Sequence, residues 1–349
     1  MKRRQYLAAT GALGLAGCLS SPDAGGSGTL TVATYSSFVD APSSSPGPWL
    51  KEEFERRYPD ATLEWVTPEN GINRYVQQAN SGATVDADAY VGLKVPELVR
   101  VDRETDGDLF AAPDVSALSN WEHVTARQFD ERNRVLPVFS GYCSFVYDGR
   151  DVDGFEGLEA LTTDAYAGNV LLQNPQTDNT GLYVLLWTIK EFGEDGYLDY
   201  WRDLFDNGAR VLDAWDSVYA AFGEGEVDVI SSFSNDRVYA KRSGADLDGH
   251  RIAFPGGHGY TNLSGMAAFA GSADDRLTET FFDFMLSPAA QGKLAELNVS
   301  NPVTDNAEVP DVFDEYARTP PEPLLFSYDE LRGNLEGWLT DWGRMAAEQ

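Results

Sequence analysis

Residues 30–34 (LTVAT), 62–66 (TLEWV) and 87–93 (ADAYVGL) carry the reading that decides the fold. Each is a short apolar run with β-branched or aromatic residues, the pattern of a buried strand. After the first, Pro46-Gly47-Pro48 opens a helix that puts Leu50, Phe54 and Tyr58 on one face, with Pro48 suited to the first helical position. A second helix is expected over 72–80. This β-α-β-α-β order argues for a parallel sheet.

Outward from there, a second α/β region begins after Val135-Leu136-Pro137-Val138-Phe139. Strands are expected at 168–172, 210–212 and 227–231, with helices at 181–192, 196–205 and 216–222. Strands at 251–254 and 263–270 return toward the first region. Helices follow at 277–286 and 288–297. A last helix opens on the capping box Ser327-Tyr328-Asp329-Glu330 and presents Leu331, Leu335, Trp338 and Trp342 on one face. Two α/β lobes joined by crossings near 136–147 and 252–270 imply a hinged binding protein. Its ligand would sit between the lobes, at carboxyl ends of strands and at helix N-termini. The expected division is residues 29–137 plus 264–349 for lobe 1 and 138–263 for lobe 2.

The first residues read as an export signal. Lys2, Arg3 and Arg4 precede a short apolar run that ends in Leu15-Ala16-Gly17-Cys18, a lipobox pattern. The run is too short to span a bilayer, which takes about 20 apolar residues. Residues 1–17 are therefore expected to be a removed signal peptide, with Cys18 lipidated and 18–28 a flexible Ser/Gly/Pro tether. Arg3-Arg4-Gln5-Tyr6-Leu7 also resembles a twin-arginine signal. The expected location is extracytoplasmic, at the cell membrane.

Composition narrows the function. The 349 residues carry a net charge of −30, with 20 Arg and only 6 Lys. An acid excess poor in Lys suits a protein kept hydrated in concentrated salt, where the Debye length falls to about 3 Å and self-repulsion is screened. A halophilic source is expected. No basic patch exists to neutralise phosphates, which argues against nucleic-acid binding. The chain is 42% apolar with 8 Trp, 16 Tyr and 18 Phe, enough for sizeable cores. Once Cys18 is used, Cys143 stands alone, so no internal disulfide can form. His123, His250 and His258 show no metal-ligand spacing.

Several segments together carry a family resemblance. They are Tyr35-Ser36-Ser37-Phe38 with Pro46-Gly47-Pro48, and Gln173-Asn174-Pro175-Gln176-Thr177 with Gly181-Leu182 and Leu185-Leu186-Trp187. Trp215-Asp216-Ser217-Val218-Tyr219 and Phe284-Met285-Leu286-Ser287-Pro288-Ala289 complete the set. In this order and spacing the chain resembles the thiamine-binding, substrate-binding proteins of ABC importers over nearly all of 29–345. The resemblance implies the two-lobed type II periplasmic-binding-protein fold. It also implies a receptor that closes on its ligand and delivers it to a permease; a tethered monomer is the simplest expectation, and no cofactor or metal is expected. With the acidic composition, it points to a halophilic archaeal source.

The resemblance places ligand contacts at Asn70 and Gly71, Asp178 and Asn179, Trp215, and the loop Phe233-Ser234-Asn235-Asp236-Arg237. Tyr35 and Tyr239 match aromatics lining the cleft. Val299 stands near the place of a further family tryptophan, and Asp178 replaces a hydroxyl-bearing residue. An acid at 178 would repel phosphate and accept a cation, while Arg237 argues the other way for the phosphorylated vitamin.

The residues support this physically. Thiamine is a permanently cationic thiazolium joined to an aminopyrimidine. Trp215 and Tyr35 offer cation–π faces worth about 0.5–2 kcal/mol. Asp178 or Asp236 could complement the charge, and Asn70, Ser234 and Asn235 could meet the pyrimidine's polar edge. Each also has a plainer reading. Trp215 and Phe233 could be packing residues, Asp178 a helix cap, and Asn70-Gly71 a turn. Polyamines and, less well, ferric iron are alternative cargoes. Thiamine-degrading enzymes of related fold use a cysteine nucleophile, but Cys143 falls in a strand, and no nucleophile–base pair is visible.

Overall fold

The computed structural model describes residues 27–41, 43–126, 129–272 and 275–349. The expected leader, Cys18 and most of the tether lie outside the described residues. Eight strands build the sheet: β1 (Gly28–Ala33), β2 (Ala61–Val66), β3 (Ala89–Lys94), β4 (Val135–Tyr147), β5 (Val170–Gln173), β6 (Arg210–Leu212), β7 (Val229–Phe233) and β8 (His258–Phe269). They run in the order β2-β1-β3-β8-β4-β7-β5-β6, with three short strands paired off this path to β4 and β8. The helices that matter for the site are α1 (Gly47–Arg57), α2 (Asn73–Asn80), α3 (Val95–Glu104), α4 (Asn179–Asp206), α5 (Trp215–Gly223), α6 (Asp236–Ser243), α7 (Asp275–Met285), α8 (Pro288–Leu297) and α9 (Tyr328–Ala346).

The expected parallel pairing holds within each half: β1 lies parallel to β2 and β3, and β5 parallel to β6 and β7. The long strands β4 and β8 join the halves antiparallel to each other and to β7 and β3, so the whole sheet is mixed. Their ladder slips at Ser264/Gly265, opposite Phe139 and Pro137. Proline has no N–H to give a ladder, and such a bulge bends the strands. The result is a two-lobed α/β architecture with both crossings passing beneath one cleft.

Packing follows the sequence pattern. Leu50 and Phe54 of α1 are fully buried, and Phe54 packs edge-on against Phe281 and Phe284 of α7. The expected helices at 181–192 and 196–205 form one run, interrupted at Gly193, whose φ of 73° favours glycine. The last helix, expected with lobe 1, touches both halves. Tyr328 donates to Asp102 of α3, and Trp342 meets Trp201 of α4 edge-on at 5.5 Å.

Of the helices that were not expected, two bear on the site. α3 begins directly after β3, and α6 begins at Asp236, inside the stretch read as a loop. Both deliver side chains to the cleft.

Candidate ligand-binding cleft

The cleft encloses about 750 Å³ between the lobes, within the range of small-molecule sites. Eight of the twelve expected residues line it: Tyr35, Asp178, Asn179, Trp215, Phe233, Asn235, Asp236 and Tyr239. A larger space of about 1090 Å³ opens beside it against α3 and α9 and shares Glu97, Thr177, Asp178 and Asn179. Its lining is rich in arginines and carboxylates and includes one aromatic, Tyr328, so the ring-binding chemistry belongs to the smaller space.

The aromatic floor is built from strand ends and helix starts. Trp215 is the first residue of α5, and Tyr219 follows one turn later on the same face. Their rings stack with centroids 4.7 Å apart and planes 21° from parallel. The Trp215 indole N–H donates to Ser232 Oγ at 3.1 Å, which fixes the ring against β7. Across the cleft, the Tyr35 hydroxyl donates to Asn298 Oδ1 at 3.0 Å. One edge of the Tyr35 ring abuts β3 where position 92 is glycine; a Cβ there would sit 2.8 Å from it. Burial pushes the Tyr35 phenol up, so it stays neutral. Tyr239 reaches Asn298 O at 3.5 Å from the cleft mouth.

Asp178 is the N-cap of α4: Oδ1 accepts Thr180 N–H at 2.7 Å. Its other oxygen accepts the backbone N–H of Trp215 at 3.0 Å. The capping reading is therefore met, and the same carboxylate ties down the start of α5. Asp236 is 4% exposed and equally occupied. Tyr219 donates to its Oδ1, and His250 Nδ1 lies 2.7 Å from its Oδ2. Neither acid has an oxygen without a protein partner.

The other expected residues fall as follows. Asn179 opens α4 at the cleft and is exposed. Phe233 ends β7, half-buried. Asn235 Nδ2 donates to the carbonyl of Val299, joining α6 to the segment after α8. Val299 itself is fully buried with φ of 48°, a conformation a β-branched residue rarely adopts. Four expected residues lie off the lining. Asn70 and Gly71 form a turn behind Tyr90, where a Cβ on Gly71 would sit 3.5 Å from the Tyr90 hydroxyl. Ser234 is buried, its N–H given to Tyr142 O. Arg237 turns outward and donates to the carbonyls of Leu247 and His250.

Sequence reading missed Lys94, Glu97, Tyr90, Tyr183, Tyr219 and Asn262, all of which line the cleft. Lys94 precedes α3 and donates to Ser264 Oγ, and its ammonium lies 5.5 Å from the Phe139 ring. Glu97, three residues on, accepts the Lys94 backbone N–H at 2.8 Å. Burial pushes Lys94 down to about 8 and Glu97 up. Pro96 early in the helix and Glu97 at its third position are a readable helix-start signal. Asp216 is exposed at the cleft, and its carboxylate makes no hydrogen bond or ion pair among the described residues.

Cys143 sits in β4, fully buried, with its thiol pushed up by burial. This is the environment of an inert packing residue. Among the described residues no group of three or more His, Cys, Asp or Glu is placed to hold a metal, and no helix is long and apolar enough to cross a membrane.

A mixed sheet curled around a deep interlobe cleft, floored by aromatics and helix starts, defines a two-lobed solute receptor. Residues 49–321 match the family of bacterial extracellular solute-binding proteins, and the chain belongs to it. The thiamine-binding periplasmic protein of Escherichia coli (strain K12) is 29% identical over 316 residues, 90% of this chain and 92% of that one. The protein of the same name in Brucella suis is 26% identical over 324 residues, covering 92% and 93%. A solved periplasmic thiamin binding protein superposes with a TM-score of 0.76 at 27% identity, over 91% of this chain and 96% of that one. A ferric ion-binding protein A from Pasteurella haemolytica shares the fold at 16% identity, with a TM-score of 0.73 over 91% and 98%.

Proposed function

We propose that this protein is the extracytoplasmic receptor of an ABC importer and that its cargo is thiamine. The observation that carries the reading is the stacked Trp215–Tyr219 pair at the start of α5, a flat electron-rich shelf in a cleft that also holds Asp216, exposed and without a partner among the described residues. A thiazolium over that shelf gains cation–π energy, and carboxylates at the cleft supply the counter-charge. Asp216 and Glu97 take that role here, because Asp178 and Asp236 already serve internal donors. The Asn235, Asn262 and Thr177 side chains are suited to the aminopyrimidine edge. The names of the curated relatives support the ligand.

Binding operates by hinge closure: ligand contacts to both lobes favour the closed form over the open one. The ladder slip opposite Pro137 and Gly265 supports lobe boundaries at 137/138 and 263/264. Lipidation at Cys18 would hold the receptor near its permease as a monomer, and the acidic surface would keep it soluble in the salt of a halophilic archaeon. The test is calorimetric titration in molar salt with thiamine, thiamine monophosphate and spermidine. Tight one-to-one thiamine binding supports the reading. Preference for spermidine would move the cargo to polyamines within the same class of receptor.

A further inference from the structure

The aromatic shelf is wired to the far side of its lobe. Tyr219, stacked under Trp215, donates its hydroxyl to Asp236 Oδ1. The opposite oxygen of Asp236 meets His250 Nδ1 at 2.7 Å. Burial and the neighbouring Asp236 charge push the Tyr219 phenol well up, so its proton stays on oxygen. An ionised carboxylate only accepts, so the other contact is Nδ1–H of His250 donating. A buried carboxylate left short of a donor is costly, and these two side chains supply one donor for each oxygen.

His250 does not line the cleft. Its ring is edge-on to Phe222, the inward residue one turn past Tyr219's neighbour Val218, at 5.9 Å and 82°. Its carbonyl accepts Arg237 Nη1 at 3.1 Å. The histidine is thereby held from two sides, ring and backbone, and presents Nδ1 to Asp236 at a fixed angle. We infer that His250 and Asp236 form a positioning device for the ligand shelf: they set the Tyr219 ring, which backs the Trp215 ring by stacking and holds its second face in register. Arg237 then acts through His250 rather than on the ligand. The inference rests on the proposed function in one respect, that the shelf stacks a ligand ring.

The test compares His250→Phe, His250→Asn and Tyr219→Phe in the full chain. One readout is the indole N–H resonance of Trp215, identified by its loss in Trp215→Phe. The other is calorimetric thiamine affinity. His250→Phe should shift the resonance and weaken affinity about five- to twentyfold, the loss expected when a buried carboxylate oxygen loses its donor. His250→Asn, whose amide can donate near the Nδ1 position, should restore the resonance and bring affinity to within about threefold of wild type. The inference is overturned if His250→Phe changes neither readout, or if His250→Asn loses as much as His250→Phe. Should His250→Phe fail to fold, Tyr219→Phe decides alone: it removes one hydroxyl and must still move the Trp215 resonance. A wild-type protein that takes up no thiamine would sink the proposed cargo, while the resonance would still test the positioning device.

Discussion

On the wall built by α4, α5 and α6, every carboxylate that touches both cleft and core has its oxygens taken by protein donors. Asp178 holds Thr180 and Trp215, and Asp236 holds Tyr219 and His250. On the facing wall, built by β3 and α3, the charges are less well compensated. Lys94 has one side-chain hydrogen bond and Glu97 accepts one backbone N–H, and burial works against the charged form of each. The first wall spends Asp178 and Asp236 on rigidity and so holds an aromatic surface still, while Asp216 of α5 stays exposed at the cleft. The second keeps charge that a ligand can respond to. A receptor needs both, because preorganisation lowers the cost of ordering on binding and uncompensated charge selects what binds.

The comparison can be broken on either side. The largest effect is expected from the rigid wall: Trp215→Ala should weaken thiamine at least about tenfold, the scale of a desolvated cation–π contact, while circular dichroism shows a folded chain. Unchanged affinity would remove Trp215 as the stacking residue. On the charged wall, Glu97→Gln should weaken thiamine by about three- to tenfold, as expected for losing a nearby counter-charge in a partly dry site. Equal binding by Glu97→Gln and wild type at low salt would show that Glu97 does not face the cation.

A pH series sharpens the contrast further. Lys94 is held down to about 8 by burial, so it sheds its proton as pH rises from 7 to 9. Its charged form repels a thiazolium, so thiamine affinity should rise by about two- to fivefold over that range. Lys94→Met should flatten the profile. The stability sign agrees: a lysine with a depressed folded value binds protons less tightly than the unfolded chain, so its contribution rises with pH between about 8 and 10.5. A flat wild-type profile would mean that Lys94 stays away from the ligand. The smallest binding effect belongs to the hinge strand between the walls. Cys143→Ala should cost about 1 kcal/mol of stability by opening a small void, with thiamine affinity unchanged. A lost affinity there would reopen a chemical role for the thiol.

The contrast between the walls also marks what could be read in advance. The alternation of strands and helices, the Pro48 helix start and the Ser327 capping box were legible because their signals are local. Trp215, Asp178 and Asp236 were legible as cleft residues through the family resemblance. Their wiring was not. Asp178 meets the Trp215 backbone across 37 positions, and Asp236 meets His250 across 14, contacts that only the packed sheet creates. Lys94 and Glu97 were missed for a different reason: the strand was read to stop at Leu93 with no helix after it, although Pro96 and Glu97 carry an N-terminal signal. Asn70 and Gly71 matched the family by position, yet here Tyr90 stands between them and the cleft.

The central claim is that this cleft takes up thiamine. Calorimetric titration of the full chain with thiamine in molar salt tests it most directly. The account predicts tight, saturable, one-to-one binding that Trp215→Ala weakens. A folded protein that gives no binding heat with thiamine and binds spermidine instead would contradict it.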